Sequence, residues 1–231
     1  MKPYKEFEPK WVKEKAPERS YRSIFRWGDP SFVKYPKESL YKTMKEIFKM
    51  RDADFKHYAL DLGLDTVRDL PPSQLGSEKI KELEEICGKD HVSIDDYDRL
   101  SVAYGKTAYD TLRLREKQID CLPDVVLYPS TSKEVEKIVG FATKYKVPVY
   151  VYGGGSSVTM GVEPTKGGIS LDMRRNFQHV ISFNEIDQTI TVQAGMSGPK
   201  LESLLNDAPK KFGAKRAYTC GHFPQSFEYI P

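Results

Sequence analysis

An α+β fold is predicted for this chain, with a mostly helical region over residues 1–122 and an α/β region over residues 123–231. Three observations predict it. The first 122 residues hold only five of the 16 glycines and read as helices and turns between prolines. From Pro123 onward the texture changes to short runs rich in β-branched residues, separated by turns. Between the first two of those runs stands a well-signalled amphipathic helix, the pattern of a βαβ unit.

The elements follow in order. Leu40 to Met50 sets Leu40, Met44, Ile47 and Phe48 at helical spacing behind Ser39 as a cap. Ser77 to Cys87 repeats the pattern, with Ile80, Leu83, Ile86 and Cys87 on one stripe and Gly88 as the stop signal. Arg99 to Lys117 reads as a third helix that Gly105 weakens. Val125 to Tyr128 is a continuous apolar run, as expected of a strand covered on both faces. Thr131 and Glu134 then form a capping box, and Val135, Ile138, Val139 and Ala142 mark the buried stripe of the helix. Val147 to Tyr152 closes the βαβ unit, whose crossover is expected to be right-handed. Further on come a strand over Gly168 to Met173 and a hairpin from His179 to Phe183 and Thr189 to Gln193. A short helix follows, opened by Ser197 and Pro199, with Glu202 in its first turn and Leu201, Leu204 and Leu205 inward.

Composition narrows the function classes. The 231 residues are 39% hydrophobic and 30% charged, a globular composition, and the net charge of +3 lacks the one-sided basic field of a nucleic-acid binder. Cys87, Cys121 and Cys220 are too few and scattered for a disulfide framework or a thiolate zinc site, so reduced structural thiols and no metal are expected. Neither a signal peptide nor the roughly 20 apolar residues of a spanning helix is found, and a cytoplasmic location is inferred.

The informative segment is Val151-Tyr152-Gly153-Gly154-Gly155-Ser156-Ser157, at the C-terminal end of the second strand, where ligands gather in α/β folds. Adjacent glycines take positive φ and turn backbone N–H groups toward an anion, and two hydroxyls add donors. That chemistry suits a pyrophosphate, although three glycines equally permit a tight structural turn. The dinucleotide fingerprint is not met, because Val158 stands where its third glycine belongs, and there is no Gly-Lys-Ser or Gly-Lys-Thr of a phosphate-binding loop.

Together with Pro123-Asp124-Val125-Val126, Leu171-Asp172, Val192-Gln193-Ala194-Gly195 and Leu201-Glu202, this loop resembles the first α/β subdomain of the vanillyl-alcohol oxidase type of FAD-binding domain. Three more stretches resemble the alkyldihydroxyacetonephosphate synthases within that superfamily: Arg26 to Pro30, Tyr104-Gly105-Lys106 with Leu112 to Arg115, and Gly221 to Tyr229. The resemblance implies a non-covalently held FAD with its pyrophosphate along Val151 to Ser157. Members that tether flavin covalently often carry a histidine where Ser156 and Ser157 stand. It implies a second cofactor-contacting loop with Pro224, Gln225, Ser226 and Tyr229. In the family that segment continues into a glycine-glycine-tryptophan stretch, the rest of the flavin domain and a cap, so the chain reads as a front portion, with the catalytic residues unknown.

The activity implied is exchange of an acyl for an alkyl group on a dihydroxyacetone phosphate, a small and lipid-derived substrate, without net redox change. An FAD-linked oxidoreductase of 2-hydroxy acids such as lactate or glycolate, and a flavin-binding module inactive alone, stay open as alternatives. So do a homo-oligomer and a complementing C-terminal chain as partners. Among other titratable residues, His222 is kept for a supporting role and His179 is read as structural. Asp95, Asp96 and Asp98 are read as a solvated turn, and Arg113 with Arg115 as the basic last turn of a helix.

Overall fold

The computed structural model describes residues 16–24, 38–56 and 63–220. Arg26 to Pro30 and the segment 221–231, with His222, Pro224, Gln225, Ser226 and Tyr229, lie outside the described residues.

The N-terminal region is helical as predicted, with differences in where its helices break and what they bury. It contains α1 (Tyr21–Ile24), α2 (Glu38–Phe48), α3 (Ser77–Cys87), the two-residue strand β1 (Val92–Ser93), α4 (Asp96–Ser101) and α5 (Ala108–Glu116). Helix α2 starts one residue ahead of its expected cap, so Ser39 lies in its first turn, and its Leu40, Ile47 and Phe48 are 50%, 66% and 70% exposed rather than packed. Helix α3 has the predicted bounds and buries Leu83 and Cys87.

The helix expected over Arg99 to Lys117 is two helices. Thr107 restarts the chain through a reciprocal cap, its Oγ1 accepting from the Asp110 N–H while Asp110 accepts from the Thr107 N–H. The acidic cluster is not a solvated turn. Asp95 caps α4 by accepting from the N–H groups of Tyr97 and Asp98, Asp96 accepts from the Leu70 N–H, and Asp98 accepts from the Ser93 hydroxyl.

The second region holds β2 (Val125–Leu127), α6 (Ser132–Tyr145), β3 (Val149–Tyr152), β4 (Ile169–Asp172), β5 (Val180–Asn184), β6 (Thr189–Val192), α7 (Gly198–Asn206) and α8 (Ala208–Phe212). Four strands form one sheet in the order β1-β2-β4-β3, with β2, β4 and β3 parallel and β1 antiparallel at the far edge. The βαβ unit is therefore split: β4 pairs with both β2 and β3, leaving β3 as an edge strand with Val151 59% exposed. Strands β5 and β6 are the predicted hairpin and form a sheet of their own.

Pleating divides the core. Val125, Leu127, Ile169 and Leu171 pack on one face with Leu83 and Cys87 of α3 and Ile138, Phe141 and Ala142 of α6. Val139 was expected in that stripe and is half exposed, and Phe141 is buried instead. On the opposite face Val126 and Tyr152 pack with Val102. Residues before Pro123 thus supply a strand and part of both faces of the core. Asp124 joins the regions through its carboxylate, which accepts from the N–H of Gln74 at 2.6 Å and from the N–H of Gly168 at 2.6 Å.

Candidate cofactor-binding site

The glycine loop leaves the carboxyl end of β3. Tyr152 is buried, Gly153 and Gly154 are half-buried, Gly155 is buried, and Ser156 and Ser157 are half-buried at the surface. Gly155 has φ +61°, and a Cβ there would run into the hydroxyl and ring of Tyr152, so the position requires glycine on both counts. No amphipathic helix follows. The chain passes instead through turns, Met160 at φ 62° among them, before it enters β4.

The hydrogen bonds of this turn divide its donors. The carbonyl of Tyr152 accepts from the Met173 N–H, that of Ser157 accepts from the Lys106 N–H at 3.0 Å, and the Ser157 hydroxyl oxygen accepts from the Gly161 N–H at 2.9 Å. Among the described residues, the N–H groups of Gly153, Gly154, Gly155, Ser156 and Ser157 donate to no protein acceptor. A run of unsatisfied N–H groups in a partly covered turn is the donor set that an anion takes up. Ser156 leaves its whole hydroxyl for such a ligand. Ser157 has its oxygen engaged and keeps its proton.

Three groups support the loop that reading the chain locally did not assign. Gly105, expected to weaken a helix, packs its backbone against the Ser157 carbonyl so closely that a Cβ would collide with it. The adjacent Lys106 is 8% exposed, and burial, with the charge of Arg174 adding to it, pulls its ammonium down to about 8 while Asp110 opposes the shift.

Arg113 lies with Arg115 in the last turn of α5, as expected. It is 3% exposed, donates to Asp110 at 2.6 Å and to Glu163 at 2.5 Å, and lies between the rings of Tyr104 and Tyr109. At the end of β4, buried Asp172 accepts from Arg174 at 2.5 and 2.9 Å, and the Arg174 guanidinium lies over the Tyr152 ring. Tyr104-Gly105-Lys106, Leu112 to Arg115 and Leu171-Asp172, stretches that carry the resemblance, contain most of this support.

His179 is exposed at the head of the hairpin, where its N–H donates to Gln193. A cavity of about 550 Å³ lined by Tyr21, Asp65, Arg68 and Lys117 has no glycine-loop residue in its wall. Among the described residues there is no His, Cys, Asp and Glu cluster able to hold a metal, and no helix is long and apolar enough to cross a membrane.

Residues 123–222 match the family model of the FAD binding domain. The chain carries an FAD-binding domain. It is 30% identical over 207 residues to alkyldihydroxyacetonephosphate synthase of Dictyostelium discoideum, a match covering 87% of this chain and 32% of that protein. A solved alkyldihydroxyacetonephosphate synthase superposes with a TM-score of 0.61 at 31% identity, covering 69% of this chain and 31% of the other.

A mitochondrial D-lactate dehydrogenase (cytochrome) of Kluyveromyces lactis is 29% identical over 143 residues, 59% of this chain and 24% of that protein. The chain spans about a third or less of the length of these relatives. The fold of the FAD-binding domain is that of the vanillyl-alcohol oxidase type, and the glycine loop lies within it.

Proposed function

We propose that this FAD-binding domain holds its cofactor non-covalently, with the pyrophosphate along Val151 to Ser157. The observation that carries this is the row of five loop N–H groups at the carboxyl end of β3 that, among the described residues, have no protein acceptor. Pro224, Gln225, Ser226 and Tyr229 are proposed as a second contact, supplied by residues 123–231, while residues 1–122 buttress the loop through Gly105 and Arg113. When bound, the flavin supplies the electrophilic and redox reactivity, and the chain's share is to bind and orient it.

The activity we propose for a protein carrying this domain with the remaining parts of its relatives is exchange of an acyl for an alkyl group on a small, lipid-derived ketone phosphate. The extent of the match favours it over oxidation of a 2-hydroxy acid. Likeness to the synthase runs over 87% of the chain, against 59% for the lactate dehydrogenase. A cytoplasmic setting is part of the same reading, supported by three free cysteines. A second copy, or a chain bringing the rest of the flavin pocket, is the proposed partner.

Titration of the purified chain with FAD, followed by flavin fluorescence, tests the cofactor claim. Saturable binding that Gly155→Val abolishes is expected, with release of unmodified flavin on denaturation. Equal affinity in both proteins overturns the loop assignment. With the remaining parts restored, incorporation of labelled fatty alcohol into an acyl ketone phosphate supports the transferase. Bleaching of the flavin by a 2-hydroxy acid supports the oxidoreductase, and neither reaction leaves a binding module.

A further inference from the structure

Tyr152 ends β3 on the sheet face that also carries Val126, Ser170 and Asp172. It is 1% exposed, packed with Val102 and Val126 and bordered by Tyr128 and Val162, and the Arg174 guanidinium lies 4.7 Å from its ring centroid. Its hydroxyl is buried and, among the described residues, has no hydrogen-bond partner. Leaving such a group unpaired is costly, and folded proteins retain few of them without a reason. Arg174 does not satisfy it: the guanidinium faces the ring, and its Nε and Nη2 donate to Asp172.

The place of this oxygen gives the reason. It occupies the space where a side chain on Gly155 would begin, directly against the loop whose five N–H groups also lack acceptors among the described residues. Burial raises the phenol pKa, with Asp172 adding to the shift and Arg174 opposing it, so the hydroxyl stays protonated and available as a donor. One turn thus gathers unpaired donors of two kinds. An acceptor-only group such as a phosphate satisfies both. Among the described residues Ser170 Oγ is likewise buried and unpaired, but it stands opposite Val126 and Tyr150, two residue pairs back from the Tyr152–Asp172 pair at the strand ends.

We propose that the Tyr152 hydroxyl donates a hydrogen bond to a phosphate oxygen seated on the glycine loop, making Tyr152 a phosphate-binding residue as well as a prop under Gly155. This rests on the reading of the loop as the cradle of the FAD pyrophosphate. Tyr152→Phe removes the one oxygen and keeps the ring that packs the core.

FAD, ADP and adenosine are titrated into the wild-type chain and the variant, and both apoproteins are melted. The expected result is a roughly tenfold weaker Kd for FAD and for ADP, about 1.4 kcal/mol. Adenosine affinity and the fold should be unchanged, and the Tm equal or higher because an unpaired group has gone. A tyrosine ultraviolet difference signal on adding ADP is expected in the wild type and absent from the variant.

Equal FAD and ADP affinity in the two proteins overturns the role of Tyr152 and leaves the loop assignment standing. An equal loss for adenosine reduces Tyr152 to a prop and also overturns it. Should the wild-type chain bind neither FAD nor ADP, the cradle reading fails and the inference falls with it.

Discussion

Arg113 on α5 donates to Glu163 at 2.5 Å across 50 residues of sequence, and both side chains are buried. The pair ties the helical N-terminal region to the turn that follows the glycine loop, and Asp110, Asp120 and the rings of Tyr104 and Tyr109 also surround the guanidinium. Neighbouring carboxylates raise the Arg113 pKa against a burial that would lower it, so the charge is held within the fold. Removing one partner strands the other in a poorly solvated site. Arg113→Ala is therefore expected to cost about 3–5 kcal/mol in denaturant unfolding, and Arg113→Lys a smaller amount, because the planar fork that meets both carboxylates is lost. If Arg113→Ala unfolds at the wild-type midpoint, the clamp contributes nothing.

Glycines separate into those that need to be glycine and those that do not. Gly155→Ala has to adopt φ +61° with its methyl against the Tyr152 hydroxyl, and at least about 1–2 kcal/mol of destabilisation is expected. Gly140 lies exposed in α6 with nothing within 4 Å of a Cβ, so Gly140→Ala is expected to stabilise by roughly 0.5–1 kcal/mol. Thermal melts of the two variants should move in opposite directions. A shift of the same sign in both contradicts the geometry.

Glu202 anchors the chain just ahead of residue 221. It accepts from the Thr219 hydroxyl at 2.8 Å and from the Cys220 N–H at 3.0 Å, and these hydrogen bonds, that from the Cys220 thiol first among them, hold its carboxyl down at about 2. A depressed folded pKa adds stability that is complete above the unfolded value, near 4.5, and is lost as pH falls toward 2. Glu202→Gln should therefore flatten the acid limb of the stability profile below pH 4.5. Unfolding measured at a series of pH values checks this, and identical acid limbs would remove Glu202 from the account.

All three thiols are held away from reactivity. Burial pushes Cys87 and Cys121 up to about 11, and burial with the Glu202 carboxylate does the same to Cys220. At pH 8 a disulfide reagent should react slowly with the native chain and rapidly with three thiols once it is denatured. A fast native phase would show that one of them is more open than its surroundings imply.

The local chemistry of the chain could be read from residues close together in sequence. The apolar run at Val125, the Thr131 cap, the hairpin and the glycine loop all depend on neighbours within about one turn or one strand, where periodicity and capping act. Val139 and Phe141 show where that reading blurs, since on one helix both lie near the edge of the buried stripe and packing decides between them. Glu202 likewise falls past the first turn of α7, because the helix opens at Gly198 and the carboxylate is used for a contact 18 residues away.

Strand order, the partner of Arg113 and the surroundings of the Tyr152 hydroxyl came only from the tertiary structure. A hydrophobic period says that β2, β3 and β4 are strands but carries no information on which of them lies between the other two. Insertion of β4 turned β3 into an edge strand and set Asp172 beside Tyr152. The close approaches of Gly105 to Ser157 and of Arg113 to Glu163 join segments about 50 residues apart, and only packing of the whole chain brings such groups together.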